Sequence, residues 1–160
     1  TDRRRQSLER VLEEQVRQAA DRHGTVGAVA IDSEGNLAAA TTTGGMTAKA
    51  MGRVGDSPLI GAATYAENGV CAVSATGHGE YFIRVGVAKT ICDRVKLAGD
   101  SIDEAARVAL GEVAALGGDG GVIVLTSDGR PAWSFNTAGM YRASQVAGED
   151  PVIAIYGDED

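Results

Sequence analysis

Thr25-Val26-Gly27-Ala28-Val29-Ala30-Ile31-Asp32, then Ser33-Glu34-Gly35-Asn36, then Leu37-Ala38-Ala39-Ala40-Thr41-Thr42-Thr43: this run decides how the chain is read. Two short apolar segments flank a cluster of turn formers, so the stretch predicts a β-hairpin that begins at Thr25. The residues before it keep a different period. Leu8, Val11, Leu12, Val16 and Ala19 recur at helical spacing among Glu, Arg and Gln. Residues 1 to about 23 are therefore expected to form an amphipathic helix that stops at His23-Gly24.

Downstream of the hairpin, residues 44 to about 61 are rich in Gly and read as a long loop. Residues 70–76 read as a third strand, ended by Gly77-His78-Gly79-Glu80. Residues 81–97 carry helical periodicity through Ile83, Val87, Ile91 and Val95. Ser101-Ile102-Asp103-Glu104 matches a capping box, opening a helix that runs to about Leu116. Gly117-Gly118-Asp119-Gly120-Gly121 breaks it. Residues 122–125 and 131–135 form a second hairpin around Ser127-Asp128-Gly129, and residues 152–156 are a last strand. Strands, then helices, then strands make an α+β chain, with an antiparallel sheet and helices on one face. The other face also needs cover, so a partner chain or a second half is expected.

Composition narrows the function. At 160 residues and 44% hydrophobic the chain supports one domain with one core, and with 4% aromatics that core is built of Val, Ala, Leu and Ile. A net charge of −7 argues against nucleic acid, which needs a basic stripe. The cluster Arg3 to Arg5 lies beside Glu9, Glu13 and Glu14 and reads as a solvated helix start. Cys71 and Cys92 match neither a metal motif nor CxxC, and are expected to be reduced thiols in a cytoplasmic protein. No stretch is long and apolar enough for a membrane span, and the polar N-terminus shows no signal peptide.

Common nucleophile arrangements come up short. The two histidines are His23 and His78, and GxSxG, HExxH, zinc-finger spacing and the P-loop are all missing. The paired glycines of residues 117–121 lack GKS or GKT and read as a helix stop. What remains is a set of threonines at strand ends: Thr25, Thr41, Thr42, Thr43 and Thr76. In strands, threonines are ordinary β formers.

Their surroundings carry a resemblance. His23-Gly24-Thr25-Val26-Gly27-Ala28-Val29-Ala30 is similar to the processing site of the plant-type asparaginase and isoaspartyl aminopeptidase family. Thr41-Thr42-Thr43-Gly44-Gly45-Met46 resembles that family's TSTGG segment. Gly52-Arg53-Val54-Gly55-Asp56-Ser57-Pro58 matches its GRVGDSP loop, and Thr76-Gly77-His78-Gly79-Glu80 its TGxGE loop. Residues 117–121 and 135–140 resemble its later segments.

The resemblance implies an N-terminal nucleophile hydrolase with a four-layer αββα sandwich, of which this chain supplies about half. Residues 1–24 would be the tail of the α-subunit with its linker, and residues 25–160 the β-subunit. The precursor would cut itself between Gly24 and Thr25, making Thr25 both nucleophile and base. An α-amino group, with a pKa of roughly 7.7–8.0, can take the hydroxyl proton without a histidine. Thr43 would hydrogen-bond and tune the nucleophile. Thr76 and Gly77 would form the oxyanion hole. Arg53 would grip the substrate α-carboxylate through its guanidinium fork and Asp56 its α-ammonium, with Val54 and Gly55 in the same binding loop. Gly79 would offer its carbonyl to that ammonium. His78, at the variable position, would be a wall or leaving-group contact.

The implied reaction is hydrolysis of the side-chain amide of L-asparagine and of β-aspartyl dipeptides, releasing L-aspartate. No cofactor or metal is implied in this chain; a structural sodium belongs to the missing half. The implied partners are the small substrate, an α-subunit from the same precursor and an (αβ)2 assembly, with no nucleic acid or membrane. Glycosylasparaginases tend to show TSTNG and TGDGD where this chain has TTTGG and TGHGE, and threonine aspartase departs from GRVGDSP at the Asp. A glycosylasparaginase-like hydrolase and an unprocessed homologue acting as a binding protein are the alternatives.

Overall fold

A computed structural model describes residues 24–46 and 48–158. The helix expected over residues 1 to about 23 lies outside the described residues. The hairpin forms as read. β1 (Thr25–Ile31) pairs antiparallel with β2 (Leu37–Thr43) in a register running from Thr25↔Thr43 to Ile31↔Leu37. Asp32 closes the turn. Its Oδ1 accepts the backbone N–H groups of Glu34 and Asn36 at 2.9 and 2.8 Å, a local side-chain turn, while Gly35 takes the left-handed conformation at φ 85°.

A four-stranded antiparallel sheet follows, with strand order β3-β4-β5-β6. Its strands are β3 (Thr64–Glu67), β4 (Cys71–Gly77), β5 (Gly120–Thr126) and β6 (Pro131–Phe135). β3 falls in a stretch the sequence left unassigned; four residues are too few to show a period, and pairing to β4 makes them a strand.

The helical periodicity of residues 81–97 resolves into three pieces: α1 (Gly79–Val85), α2 (Val87–Asp93) and a π-helical turn (Arg94–Ala98). Gly86, left-handed at φ 64°, ends the first piece and opens the second. α3 (Ile102–Ala115) begins at the expected cap, where Ser101 Oγ accepts the Glu104 N–H at 3.3 Å.

Side chains alternate along β4, and this sets the layers. Cys71, Val73 and Ala75 face the helices and pack with Phe82, Val87, Ile91, Ala105, Ala109 and Val113. Ala72 faces the hairpin and packs, with Leu125, against Val29, Ile31, Leu37 and Ala39. Between the two layers Ser74 Oγ meets Thr41 Oγ1 at 2.6 Å, and Thr64 Oγ1 donates to the same Thr41 oxygen. Helices, sheet and hairpin are thus three stacked layers of a mixed α/β chain with antiparallel sheets.

Two readings are corrected. Cys71 and Cys92 are joined by a disulfide rather than reduced. β4 and α2 pack face to face, both cysteines are fully buried between them, and their Cα atoms lie 5.7 Å apart, inside the range a disulfide spans. A sequence separation of 21 carries no such information. The last strand is also shorter than read. β8 (Val152–Ala154) pairs with β7 (Arg142–Ser144), three residues long and not anticipated. Arg142 is buried here, its guanidinium over the Trp133 and Phe135 rings at 4.8 and 5.2 Å. Among the described residues no helix is long and apolar enough to cross a membrane.

Candidate functional site

The hairpin register places Thr25 opposite Thr43, at the open end of both strands. The Thr25 hydroxyl donates to Thr43 Oγ1 at 3.2 Å. Thr43 Oγ1 also accepts the Gly45 N–H at 3.0 Å, and its own proton points to the Gly24 carbonyl across a long 3.5 Å. Both lone pairs of the Thr43 oxygen are therefore engaged, which fixes the direction of the Thr25 hydroxyl. Gly24 and Thr25 are joined by a peptide bond in this structure, so the geometry is that of the uncut chain.

Beside the threonines opens a cleft of about 210 Å³. Of the residues singled out from the sequence, Thr25, Thr43, Arg53, Val54, Gly55, Asp56 and Gly77 line it. They come from β1, β2, β4 and the loop of residues 44–61, far apart in sequence. Thr76, His78 and Gly79 do not line it. Thr76 lies one residue back in β4, paired with Gly121. Gly79 is buried against Asp56: a Cβ there would stand 2.7 Å from Asp56 Oδ1. His78 is turned to another use. Its Nδ1 is 2.9 Å from Asp119 Oδ1 and its backbone N–H donates to the Asp119 carbonyl at 3.0 Å, and it is not among the residues that wall this cleft.

Gly77 has to be glycine. Its φ is 147°, and a Cβ would stand 2.7 Å from the Phe82 ring and 2.8 Å from Gly120 Cα. The chain thereby brings bare backbone to the cleft floor.

Charge in the cleft is arranged asymmetrically. Arg53 is bound edge-on by Glu80, Nε to Oε1 and Nη2 to Oε2, the latter at 2.9 Å. The Arg53 hydrogen bonds pull the Glu80 carboxyl down to about 2. Glu80 stands in the TGxGE stretch, but its pairing was not foreseen. It occupies one edge of the guanidinium, so an incoming carboxylate meets the remaining Nη1/Nη2 edge. Asp56 is the opposite case. It is buried, its Oδ2 has no hydrogen-bond partner among the described residues, and burial pushes its carboxyl above the usual range. An orphaned buried carboxylate oxygen is a ready acceptor for a cationic donor. Lys49, Met46, Gly45 and Pro58 also line the cleft and were not singled out. Among the described residues, no group of His, Cys, Asp or Glu is placed to hold a metal ion.

Fold and cleft together define an α/β protein that presents a strand-initial threonine hydroxyl beside a paired guanidinium and a buried carboxylate. The chain belongs to the asparaginase family, whose sequence profile matches residues 1–155. It is 54% identical over 137 residues to an isoaspartyl peptidase of Escherichia coli, covering 85% of this chain and 43% of that protein. It is 44% identical over 163 residues to an isoaspartyl peptidase/L-asparaginase of Xenopus laevis, covering 100% of this chain and 52% of that one. The Homo sapiens protein of the same name is 44% identical over 133 residues, with 81% and 43% covered. The chain thus spans about half the length of the curated relatives it matches.

Proposed function

We propose that the protein carrying this chain is a self-processing threonine amidohydrolase acting on L-asparagine and β-aspartyl dipeptides. One observation carries the reading: the Thr25 hydroxyl, hydrogen-bonded to Thr43 at 3.2 Å, opens on the same cleft as Arg53 and Asp56. Those two residues suit the two ends of an α-amino acid. The free Nη edge of Arg53 takes the α-carboxylate, and the orphaned Asp56 oxygen takes the α-ammonium. Fixing both ends orients the side-chain carbonyl toward Thr25.

Cleavage comes first. Thr25 Oγ attacks the Gly24 carbonyl carbon, the C–N bond breaks and frees the Thr25 amine as the ester forms, and water then hydrolyses that ester to the Gly24 carboxylate and the Thr25 hydroxyl. In the mature protein that amine takes the hydroxyl proton as Thr25 Oγ attacks the substrate amide carbon. The backbone at Gly77, with Thr76 behind it, stabilises the oxyanion. The proton passes to the departing nitrogen, which leaves as ammonia or as an amine. Water then hydrolyses the aspartyl ester, releasing L-aspartate and restoring the hydroxyl. The remainder of the protein supplies the fourth layer of an αββα sandwich, with residues 1–24 leading to the cut and residues 25–160 as the nucleophile subunit. Two such units pair.

The isoaspartyl peptidase names of the relatives support this substrate class. Mass spectrometry of the complete protein should show a fragment beginning at Thr25. Thr25→Ala should remain uncut and lose about 10⁴-fold or more in kcat on an isoaspartyl dipeptide. Normal turnover in that variant would refute the reading. A preference for glycosylated asparagine in parallel kinetics would move the assignment to the glycosylasparaginase branch.

A further inference from the structure

Lys49 stands in the cleft without a part in the chemistry above. Its Nζ donates to the Gly44 carbonyl at 2.7 Å, and among the described residues it makes no ion pair. Gly45 lies directly beneath it, left-handed at φ 82°; a Cβ there would stand 2.6 Å from Lys49 Nζ. The N–H of Gly45 is the donor that occupies Thr43 Oγ1, and Thr43 Oγ1 is the acceptor of the Thr25 hydroxyl. One continuous set of contacts therefore runs from the ammonium through the turn to the nucleophile.

We propose that Lys49 is a positioning residue for the nucleophile: it pins the Gly44-Gly45 turn that aims Thr43 at Thr25, and its charge favours the unprotonated form of the Thr25 α-amino group. This rests on the reading of Thr25 as an N-terminal nucleophile. The charged groups lining the cleft are Lys49, Arg53 and Asp56, with Glu80 behind Arg53 and the His78–Asp119 pair beyond Gly77. Arg53 is answered by Glu80, and Asp56 makes no ion pair with Lys49. The Lys49 charge is the cation in the cleft that no carboxylate among the described residues answers. A like charge disfavours the ammonium form of a neighbouring amine, and the neutral amine is the base the reaction needs. Lys49 itself neither gives nor takes a proton.

The test compares wild type, Lys49→Arg and Lys49→Met in the complete protein, reading kcat/KM on an isoaspartyl dipeptide from about pH 5 to about pH 9. In Lys49→Met the acid limb should move up by about half a pH unit or more, and in Lys49→Arg it should stay with wild type. The plateau rate of Lys49→Met should also fall several-fold as the turn loosens. If the Met variant fails to cut itself, its subunit is expressed with Thr25 directly after the initiator Met and paired with the remainder of the protein. Anhydride labelling of the Thr25 amine against pH then reads the same shift without turnover. An unmoved limb and labelling midpoint overturn the proposal, with or without a fall in plateau rate, since a merely structural lysine would change the plateau alone. An active Thr25→Ala would instead sink the underlying reading, whatever Lys49 does.

Discussion

Arg53 and Asp56 sit in one loop, line one cleft and are held there in opposite ways. Arg53 is held by a charged partner, whereas Asp56 Oδ2 has no hydrogen-bond partner among the described residues. The Glu80 carboxyl, ordinarily at 4.5, is drawn to about 2, chiefly by the hydrogen bonds from Arg53. A depressed acid lends stability that is whole above about pH 4.5 and fades as pH falls toward 2. Half of the Glu80 side chain is in solvent, so this contribution to the fold is small; the larger effect is on aim. Glu80→Gln keeps the shape and removes the charge that squares the guanidinium to the cleft. It should raise KM for an isoaspartyl dipeptide about tenfold while kcat falls much less, because ground-state and transition-state grip on the carboxylate weaken together. Steady-state kinetics at neutral pH checks this, and an unchanged KM would mean that Arg53 needs no such tether. Thr25 and Thr43 were legible through the resemblance of residues 23–30 and 41–46 to the family's segments, since by pattern alone they are ordinary strand threonines; the register that sets them opposite each other is what the fold adds. Lys49 and the pairing of Glu80 were not legible. Neither belongs to a periodic pattern, and both act only once the loop of residues 44–61 folds over the strand ends.

At the scale of elements, β4 carries the most. It ends in Gly77 at the cleft, alternates its side chains between two cores, and is tied to α2 by the disulfide. Its apolar run made it readable to within a residue. The neighbouring β3 and β7 were not readable, since strands of four and three residues exist only through their pairing. The single helix expected over residues 81–97 failed at Gly86. The hydrophobic period continues across that glycine while the backbone turns left-handed, and periodicity alone does not see a backbone angle. The disulfide closes a loop with a sequence separation of 21, which constrains the unfolded chain by roughly 3 kcal/mol. The melting temperature of the wild-type protein should fall by several degrees when dithiothreitol is added before heating. The double variant Cys71→Ala, Cys92→Ala should melt at the lower temperature and ignore the reductant. A wild-type melting curve indifferent to reductant would show that the bond is not formed in solution.

Among the described residues, two of the three layers are packed and the third is open on its outer face. The inner face of the hairpin, Val29, Ile31, Leu37 and Ala39, is covered by the sheet. Its outer face, Val26, Ala28, Ala30, Ala38 and Ala40, is exposed, with Val26 at 67%. Two strands alone are a marginal sheet, and each has an edge of unpaired backbone groups ready to take another strand. In the reading proposed here the nucleophile Thr25 begins the first of these strands, so whatever steadies the hairpin steadies the site. The curated relatives are about twice as long as this chain, and in the reading proposed here the remaining half covers that face and pairs those edges. Residues 25–160 expressed without it should therefore bind an apolar dye, self-associate on sizing columns and hydrolyse isoaspartyl dipeptide at under about a hundredth of the complete protein's rate. Co-expression with the remainder should restore both a single species and turnover. A monodisperse, active isolated subunit would mean that the β1–β2 hairpin holds Thr25 and Thr43 in register without outside support, and that the missing half serves only to deliver the cut.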